Sequence, residues 1–401
     1  MNVIFLTASN IGGIENRGIY ADLLRRFRDE GHKVYVVQPF ERRLGRKTQL
    51  WEDSGAWFLG VRTLNLQKTN AIEKGLCMLM LEYLYVRAIK KYLSHIAPDL
   101  ILYTTPPITD VGAVEYLKNK YPKAMTYLLL KDIFPQNAVD LGMMSQSSLM
   151  YKLFRKKEKR LYTISDYIGC MSPANVEYVI AHNDFVNPSK VEVAPNSYEL
   201  FPLKDIDRDA MRMRYNLPSD KPVFIYGGNL GRPQGIDFLI QCLDANKKRN
   251  DCHFAIVGNG TEYSKILHWI RETKPTNVSL QAYLPKDDYD NLVQSCDAGM
   301  IFLDYRFTIP NFPSRLLGYL NKKMPVVIAT DPNTDMGRIA ETNRFGKACL
   351  SNDVKAFTEI VNSFVANPAE MRAMGERGYA YMKTHYLVDN TYNAIMQHIK
   401  E

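Results

Sequence analysis

The chain has 401 residues, of which 46% are hydrophobic and 23% are charged, as is usual for a globular protein. This length exceeds what one hydrophobic core usually serves, so we expect two domains of about 200 residues each. The formal net charge of +8 would suit nucleic acid, an anionic membrane or phosphate-bearing substrates. Because no motif of a nucleic-acid-binding module accompanies the charge, we expect no nucleic acid partner.

The cysteines and the N-terminus bear on the compartment. The six cysteines are scattered, and none forms a Cys-x-x-Cys pair. This spacing indicates small core residues in a reducing compartment and neither disulfides nor a zinc site. The sequence opens on the strand-like run Val3–Leu6 without a basic leader. We therefore expect a cytoplasmic protein.

Strand-like apolar runs alternate with helical patterns along the chain, which predicts mainly parallel sheets. The predicted strands of the first half are Val3–Leu6, Val34–Val37, Leu100–Tyr103, Thr126–Leu130, Tyr167–Met171 and Val191–Val193. Those of the second half are Val223–Tyr226, Phe254–Val257, Val278–Leu280, Gly299–Leu303, Val326–Ala329 and Lys347–Leu350. The proline-containing segment Asn196–Leu217 is predicted to connect the two series. Ligands of such α/β sheets bind beyond the carboxyl ends of the strands.

These patterns predict two Rossmann-like domains, at residues 1–200 and 201–385. Residues 386–401 are expected to form a C-terminal helix that packs back toward the first domain. In such a pair of domains, the cleft between the halves is the expected binding site.

The segment Ala71–Leu93 is a strongly apolar helix, interrupted by Glu82 and Arg87. Its uncharged run, Gly75–Leu81, is far shorter than the ~20 residues that span a bilayer. Two interpretations remain open: a buried helix of the domain, or a helix that partly rests on a membrane. The basic stretch Lys152–Arg160 is likewise either a solvated helix face or a surface for an anionic partner.

A glycine pair, Gly12-Gly13, lies between the first strand and a predicted helix. Glycine permits close approach of the backbone to a ligand, and a helix N-terminus favours an anion. The alternative is a tight strand-to-helix turn. The loop lacks the Gly-x-Gly-x-x-Gly pattern of dinucleotide-binding proteins, which argues against a dehydrogenase.

The second half contains further glycine-rich loops. Four glycines fall within residues 227–235, just before a predicted helix, together with Asn229 and Arg232. This spacing suggests a phosphate-binding loop. Gly258-Asn259-Gly260 follows the next predicted strand and is either a plain turn or a ligand contact. Tyr283, after another strand, is expected either to stack on a ligand or to pack.

The segment Ile309–Leu320 places Ser314-Arg315 at the start of an amphipathic helix. Backbone N–H groups at a helix N-terminus and an adjacent guanidinium form a natural seat for a phosphate. A guanidinium can bind two phosphate oxygens and stabilise charge that develops on a leaving group. Arg315 and Arg232 are therefore the candidate cations for a diphosphate.

Asp132 follows the predicted strand Thr126–Leu130 directly. A carboxylate at a strand end can accept the proton of a reacting hydroxyl or orient that hydroxyl. The alternative is that Asp132 caps a helix N-terminus. The pair Asp205-Ile206-Asp207 lies in the predicted connection and not after a buried strand. We expect no metal site.

Ile309–Leu320, closed by Lys323–Ile328, resembles the donor-sugar signature of the family 4 glycosyltransferases, which share the two-domain GT-B fold. In the enzymes of bacterial capsule and O-antigen synthesis this signature reads roughly Pro-Ser-Lys-Leu-Phe-Glu-Tyr-Leu-x-x-Gly-x-Pro-Val. Residues 12–13, 131–137 and 228–231 resemble further segments of the family, in the same order along the chain. The resemblance implies two Rossmann-like domains facing across a central cleft. It assigns the acceptor to residues 1–200 and the nucleotide sugar to residues 201–385.

The resemblance also implies an activity and its partners. A sugar would pass, with retention, from a nucleoside diphosphate sugar, UDP-linked in our expectation, to a hydroxyl of a lipid-linked saccharide of capsule, O-antigen or exopolysaccharide synthesis. The reaction would take place at the inner face of the cytoplasmic membrane, with peripheral membrane contact and without a cofactor or an essential metal. Asp132 and Arg315 would be catalytic. The expected nucleotide-sugar-binding residues are Gly12, Gly13, Asn229, Arg232, Gly258, Tyr283, Ser314, Arg315 and Leu316.

The chain departs from the family pattern at four positions. Gly318 stands where the family places the Glu that holds the donor ribose, and Pro310 where a partner Glu often lies. Asn229 and Gln234 replace two basic residues of the glycine-rich loop. Two alternatives therefore stay open: an epimerase that acts on a nucleotide sugar without an acceptor, and a donor-binding subunit that has lost catalysis.

Overall fold

The structure, a computed structural model, describes residues 1–66 and 69–399, with side chains except those of residues 71 and 72. The chain forms two compact units. The first unit consists of Met1–Glu199 together with Val388–Glu401, and the second of Leu200–Leu387.

The first unit contains an eight-stranded sheet. Its strands are β1 (Asn2–Leu6), β2 (Lys33–Glu41), β3 (Gln49–Asp53), β4 (Ala56–Thr63), β5 (Leu100–Thr105), β6 (Met125–Leu130), β7 (Tyr167–Cys170) and β8 (Val191–Val193). The spatial order is β3-β4-β2-β1-β5-β6-β7-β8, and only β3 runs antiparallel to its neighbour. The six predicted strands of this half are confirmed.

The hairpin β3-β4 was not predicted. Its turn places Ser54 at φ 49° and Gly55 at φ 85°, the backbone of a tight two-residue hairpin turn. The local signal was the Ser-Gly pair, a dipeptide that favours a turn. β4 is also the parallel neighbour of β2, a long-range pairing that no local pattern announces.

Among the described residues before position 200, six segments are α-helical. They are α1 (Ile19–Asp29), α2 (Ala71–Tyr92), α3 (Val111–Lys120), α4 (Gln136–Asp140), α5 (Leu149–Ile164) and α6 (Pro173–His182). Buried side chains such as Phe5, Phe27 and Phe58 form the core between the sheet and α1. None of the helices within residues 1–66 and 69–399 combines the length and the apolar character that crossing a bilayer requires.

The second unit contains a six-stranded, wholly parallel sheet. Its strands are β9 (Val223–Asn229), β10 (His253–Asn259), β11 (Val278–Gln281), β12 (Ala298–Phe302), β13 (Val326–Thr330) and β14 (Gly346–Leu350). The spatial order is β11-β10-β9-β12-β13-β14. The six predicted strands of this half are confirmed as well. The order reverses between β9 and β12, which makes that point the topological switch where ligands of such sheets bind.

Helices connect these strands. They are α7 (Arg208–Arg214), α8 (Ile236–Asn246), α9 (Tyr263–Thr273), α10 (Lys286–Ser295), α11 (Arg315–Asn321), α12 (Met336–Thr342), α13 (Val354–Ala366) and α14 (Pro368–His385). The segment interpreted as a plain connection thus contains α7. Asp207, part of the Asp-x-Asp pair, caps this helix by accepting a hydrogen bond from Ala210 N at 2.9 Å.

The last helix, α15 (Val388–Met396), belongs to the first unit. Its side chains Val388, Tyr392 and Ile395 join the core of that unit. The ring of Tyr392 meets Phe27 of α1 edge-on at 4.9 Å between centroids. The N–H of Val388 donates to Tyr198 O at 3.0 Å. The first residue of α15 therefore lies beside the C-terminal end of the first segment of this unit, Met1–Glu199.

Candidate functional site

The glycine-rich end of β9 lies at the topological switch of the second unit. Gly227-Gly228-Asn229 closes the strand, with β10 on one side and β12 on the other. Gly228 and Asn229 are exposed, so their backbone is accessible at the carboxyl edge of the sheet. This is the location at which α/β sheets of this kind hold ligands.

Two of these glycines are required by close backbone packing. Gly258 is the register partner of Gly228 on the neighbouring strand, and a Cβ atom on Gly258 would overlap the carbonyl oxygen of Gly228. Gly228 itself has φ +134°, a conformation that other residues rarely adopt. The two strand ends therefore approach as bare backbone. Gly258 acts here through packing, and its contact with a ligand stays a prediction.

The guanidinium of Arg315 lies directly beside this bare backbone. A Cβ atom on Gly228 would be 3.3 Å from its Nη2. The guanidinium carbon lies 4.5 Å from the centre of the Tyr226 ring, a cation–π distance. Nη2 donates a hydrogen bond to Gln234 Oε1 at 2.6 Å. Three predicted features thus meet at one place: the glycine-rich loop at the end of β9, the turn at Gly258 and Arg315.

Arg315 keeps an unused hydrogen-bond donor. Its Nη1 is buried and has no hydrogen-bond partner within the described part of the chain. Burial acts to lower the pKa of Arg315, but the nearby hydroxyl groups of Tyr226, Tyr319 and Tyr289 act in the opposite direction, and the pKa is raised. The site thus holds a permanent cation with a donor to spare, which suits an oxyanion ligand.

Packing of α11 explains the position of Arg315. Leu316, Leu317 and Leu320 are buried, which leaves the opposite side of this short helix for Arg315. The hydroxyl of Tyr319 accepts a hydrogen bond from Gly227 N at 3.2 Å and lies 3.2 Å from Ile225 O. This buried tyrosine therefore ties α11 to the end of β9. The sequence analysis missed Tyr319 as a site residue, although its spacing from Arg315 by one helical turn was a usable signal.

Ser314 and Leu316 flank Arg315 at the start of α11. Ser314 occupies the N-cap position but makes no capping hydrogen bond with its side chain. The N–H of Leu316 donates to Pro313 O at 3.2 Å, so this amide already has a partner within its own turn. Both residues lie next to the guanidinium in sequence, and their role in binding stays a prediction.

Arg232 lies two residues before Gln234 in the same short turn, Arg232–Gln234. Its side chain is 58% exposed and lies 3.9 Å from Glu262, a long ion pair. It lines a cavity of about 570 Å³ beside the N-terminus of α8 and residues 304–306. Asn229 packs against the following turn, where a Cβ atom on Gly231 would lie 2.8 Å from its Nδ2. Tyr283 is 77% exposed, which leaves its ring free to stack on a ligand.

Gly318 faces open space. A Cβ atom added there would meet no atom of the described residues within 4 Å. A longer side chain therefore fits at this position without displacing a neighbour. Steric crowding therefore does not explain why this chain has a glycine at position 318 in place of a glutamate.

In the first unit, the loop after β1 is held by side chains around it. Gly12 has φ +83°, and its N–H donates to Asn10 Oδ1 at 3.0 Å. Asp53, at the end of β3, accepts a hydrogen bond from Ile14 N at 2.9 Å and closes the space above Gly13. The unpredicted hairpin thus braces the glycine pair.

Asp132 lies at the carboxyl end of β6, as expected, but it does not cap a helix. The nearest helix, α4, begins at Gln136 with Pro135 as its N-cap, so the capping alternative is wrong. The Asp132 carboxylate accepts a hydrogen bond from Asn137 Nδ2 at 2.7 Å. Burial raises the pKa of Asp132 to about 6. A carboxyl group that titrates near neutrality is suited to proton transfer.

Two neighbours of Asp132 escaped the sequence analysis. Tyr20, on the first turn of α1, interacts electrostatically with Asp132, and burial raises the pKa of Tyr20 to about 12. Lys131 donates to Ala194 O at 3.0 Å and to Pro195 O at 3.2 Å. Burial lowers the pKa of Lys131 to about 7. Three titratable groups thus gather near one edge of the first sheet.

Metal-ligating clusters were not expected. Within the residues that the structure describes, no three His, Cys, Asp or Glu side chains are grouped so that they could hold a metal ion.

Comparison of the sequence with known proteins matches the second unit to one family. Residues 207–381 match the family model described as Glycosyl transferases group 1. The chain is 22% identical over 276 residues to the probable glycosyltransferase WbjE of Pseudomonas aeruginosa, covering 67% of this chain and 64% of the relative. It is 26% identical over 175 residues to WcaI of Escherichia coli K12, a putative colanic acid biosynthesis glycosyl transferase, covering 43% and 41%. The matched region thus spans less than two thirds of either relative.

Solved structures match nearly the whole chain. Sucrose-phosphate synthase of Thermosynechococcus elongatus superposes with a TM-score of 0.77 at 15% identity, covering 99% of this chain and 97% of that one. HepE of Anabaena, solved in complex with UDP-glucose, superposes with a TM-score of 0.70 at 16% identity, covering 99% and 98%. Residues 207–381 thus resemble the group 1 glycosyl transferases, and the chain as a whole has the two-domain GT-B fold.

Proposed function

We propose that this protein is a retaining glycosyltransferase that moves a sugar from a UDP-linked donor to a hydroxyl of a lipid-linked saccharide. The observation that carries the proposal is the buried Arg315 guanidinium, which lies beside the bare backbone of Gly228 and whose Nη1 has no hydrogen-bond partner among the described residues. In this arrangement a diphosphate is the ligand whose charge and geometry the site matches best.

The chemistry of the donor explains why a fixed cation matters. When the bond between the sugar and the diphosphate breaks, negative charge develops on the leaving phosphate oxygen. A preorganised donor in a site shielded from water stabilises this charge without reorganisation at the moment of reaction. Arg315 is held by Gln234 and the Tyr226 ring, and it would supply that donor. Solved relatives of this fold, such as HepE, hold UDP-glucose, which supports UDP as the nucleotide.

The acceptor side is assigned to the first unit. Asp132, with its pKa raised to about 6 by burial, would accept the proton of the attacking hydroxyl or orient that hydroxyl. Tyr20 lies close enough for its charge state to depend on Asp132. Retention of the anomeric configuration is proposed on the resemblance of residues 309–320 to the signature of retaining family 4 enzymes.

The identity of the acceptor is inferred from the relatives. WcaI is named for colanic acid biosynthesis, which supports a role in bacterial surface polysaccharide synthesis. Sugars of such polymers are assembled on a lipid carrier, so we place the enzyme in the cytoplasm, at the inner face of the cytoplasmic membrane.

A two-step experiment tests the proposal. A thermal-shift screen of UDP-, GDP-, dTDP- and CMP-linked ligands first identifies the nucleotide, and we expect UDP to stabilise the protein. Labelled donor is then offered to lipid-linked saccharides extracted from bacterial membranes, and the anomeric configuration of the product is read by NMR. Conversion of the donor sugar without any acceptor would instead establish an epimerase. Binding of UDP without transfer to any acceptor would establish a donor-binding subunit.

A further inference from the structure

The cavity that Arg232 borders lies wholly within the second unit and has a volume of about 570 Å³. Its walls come from the first turn of α8, the start of α9, residues 304–306 after β12 and residues 351–352 after β14. We call it the α8 cavity. Its described lining includes neither Arg315 nor Gln234, so it is distinct from the site proposed for the diphosphate. Its volume falls in the range of small-molecule sites, about 300–1,000 Å³.

The charges that line the α8 cavity balance one another. Within the described lining, the charged residues are three cations and three carboxylates: Arg232, Lys265, Arg306, Asp237, Glu262 and Asp304. Lys265 Nζ lies 2.8 Å from Asp237 Oδ1 and 2.6 Å from Glu262 Oε2, and Arg306 pairs with Asp304 at 2.8 Å. A free anion would meet the carboxylates in this cavity, and a free cation would meet the basic groups. The balance therefore favours an uncharged ligand.

The α8 cavity also contains hydrogen-bonding groups that the protein leaves unused. Ser351 is only 4% exposed, and its hydroxyl has no hydrogen-bond partner within the described part of the chain. A buried hydroxyl without a partner is costly, so this group calls for a ligand that pairs with it. The helix α8 begins at Ile236 without a side-chain cap, and the amides of a first turn have no partner inside their own helix.

The same walls offer hydrogen-bond acceptors and an aromatic face. An ionised carboxylate has about four lone-pair sites, so Asp237 retains acceptor capacity beside its bond to Lys265. Tyr305 lines the cavity and is 41% exposed. A tyrosine ring presents a flat apolar face with a polar group at its edge. Sugar rings are complementary to such a wall, because their C–H faces pack on aromatic rings while their hydroxyl groups both donate and accept hydrogen bonds.

We propose that the α8 cavity binds an uncharged saccharide, with Tyr305 against one face of a sugar ring. Ser351, Asp237 and the first amides of α8 form hydrogen bonds with the sugar hydroxyl groups. The site goes beyond the proposed function, because it lies apart from the donor diphosphate and needs no sugar transfer. In an enzyme that extends a saccharide chain, it would hold a sugar unit other than the one that reacts; this use alone rests on the proposed function.

Binding of methyl glycosides to the full chain, without any donor, tests the site. Titrations followed by saturation-transfer NMR would use the methyl α-glycosides of glucose, galactose, mannose and N-acetylglucosamine, which carry neither phosphate nor nucleotide. We expect at least one of them to bind with a Kd in the millimolar range.

Two variants test the walls of the cavity. Tyr305→Ala should weaken glycoside binding about tenfold or more, which corresponds to about 1.4 kcal/mol, whereas Tyr305→Phe should retain binding because it keeps the ring. Asp237→Ala should also weaken binding, because it removes an acceptor. Tyr305 and Asp237 are exposed, so these variants should fold. The matched controls Tyr379→Ala on α14 and Asp209→Ala on α7 change residues outside the described lining and should leave binding unchanged.

Several results would overturn the proposal. One is a wild-type protein that binds none of the glycosides, and another is unchanged affinity in a folded Tyr305→Ala protein. Binding of inorganic phosphate but of no glycoside would identify an anion site instead. Loss of glycoside binding in Arg315→Ala but not in Tyr305→Ala would place the sugar in the donor site.

Calorimetry of the wild-type protein with UDP separates this test from that of the proposed function. Glycoside binding without UDP binding would leave the saccharide site standing while the donor proposal fails. UDP binding without glycoside binding would do the reverse.

Discussion

Gln234 and Arg315, 81 positions apart in sequence, are joined by a hydrogen bond of 2.6 Å between Oε1 and Nη2. The amide holds the guanidinium beside the end of β9 and adds no charge of its own. Where the resembling family pattern has a lysine at position 234, this chain has a neutral amide that holds Arg315. This relationship leads to the first two predictions.

Replacing Arg315 with Ala should weaken the binding of UDP, because the diphosphate loses a charge-assisted hydrogen bond. We expect a loss of about 1.5–3 kcal/mol, the usual range for hydrogen bonds to charged groups. Calorimetry should show nearly unchanged binding of uridine, which lacks the phosphates. Arg271→Ala, a change of an exposed arginine on α9, is the control. Unchanged UDP affinity in a folded Arg315→Ala protein would remove Arg315 from the site.

Replacing Gln234 with Glu should weaken UDP binding more than Gln234→Met does. A carboxylate at this position forms an ion pair with Arg315 and neutralises the charge that the diphosphate needs. We expect at least a tenfold loss of affinity, which corresponds to about 1.4 kcal/mol. The measurement is calorimetry with UDP at several salt concentrations. If the Glu variant binds UDP as well as the Met variant does, Arg315 does not act through its charge.

The raised pKa of Asp132, about 6, predicts the pH dependence of transfer. Only the ionised carboxylate can accept a proton, so kcat/KM should fall with decreasing pH below about 6 and stay level above it. The variant Asp132→Asn should lose this acidic limb and about 10²–10⁴-fold in rate, the usual contribution of a general base. A wild-type profile that is flat between pH 5 and 7 would argue against Asp132 as the base.

The same pKa predicts an opposite effect on stability. Burial raises the pKa of Asp132 above its ordinary value of 3.8, so ionisation costs the folded state stability as the pH rises from about 4 to about 6. Asp132→Asn removes this cost. We therefore expect the variant to have a higher Tm than the wild type at pH 7, with a smaller difference at pH 4. Thermal unfolding at the two pH values checks this.

Gly318→Glu should restore the carboxylate of the family pattern. A Cβ atom at this position meets no atom within 4 Å in the part of the chain that the structure describes, so the side chain can enter without displacing those neighbours. A charge-assisted hydrogen bond to the donor ribose would tighten UDP binding by about 1.5–3 kcal/mol. Removing a helical glycine should also stabilise the fold by roughly 1 kcal/mol.

Gly318→Ala separates these two effects, because it has the helix propensity without the carboxylate. We expect the Ala variant to gain stability but no affinity for UDP. Tighter UDP binding in both variants would mean that the gain in affinity comes from the more stable helix and not from the carboxylate. Weaker binding in the Glu variant alone would mean that the ligand occupies this space, and that α11 is placed differently from the ribose site of the family.

Transfer should not depend on a divalent metal ion. Arg315 and the backbone at the strand ends would stabilise the diphosphate, a role that a metal ion often fills in other enzymes. Activity measured after treatment with EDTA should equal untreated activity. Loss of transfer with EDTA and its recovery with Mg²⁺ or Mn²⁺ would contradict this prediction.

The sequence by itself determined the βα alternation, the positions of twelve predicted strands and the loops that end them. These features are local. The backbone conformation of a segment can be predicted from its own apolar runs, its glycine clusters or a Ser-Arg pair before a helix. The prediction of Arg315 and Asp132 as site residues followed from the same kind of pattern, because both directly adjoin the end of a predicted element.

Only the tertiary structure decided what these residues contact. The pairing of β2 with β4, the hydrogen bond from Ile14 N to Asp53 beside the glycine pair and the bond between Gln234 and Arg315 all join segments distant along the chain. Burial, which raises the pKa of Asp132 and lowers that of Lys131, depends on what surrounds a side chain and not on its neighbours in sequence. The hydrophobic periodicity of a segment predicts whether that segment forms a helix or a strand. Sheet order and side-chain packing decide which segments come into contact, and these contacts form the candidate site.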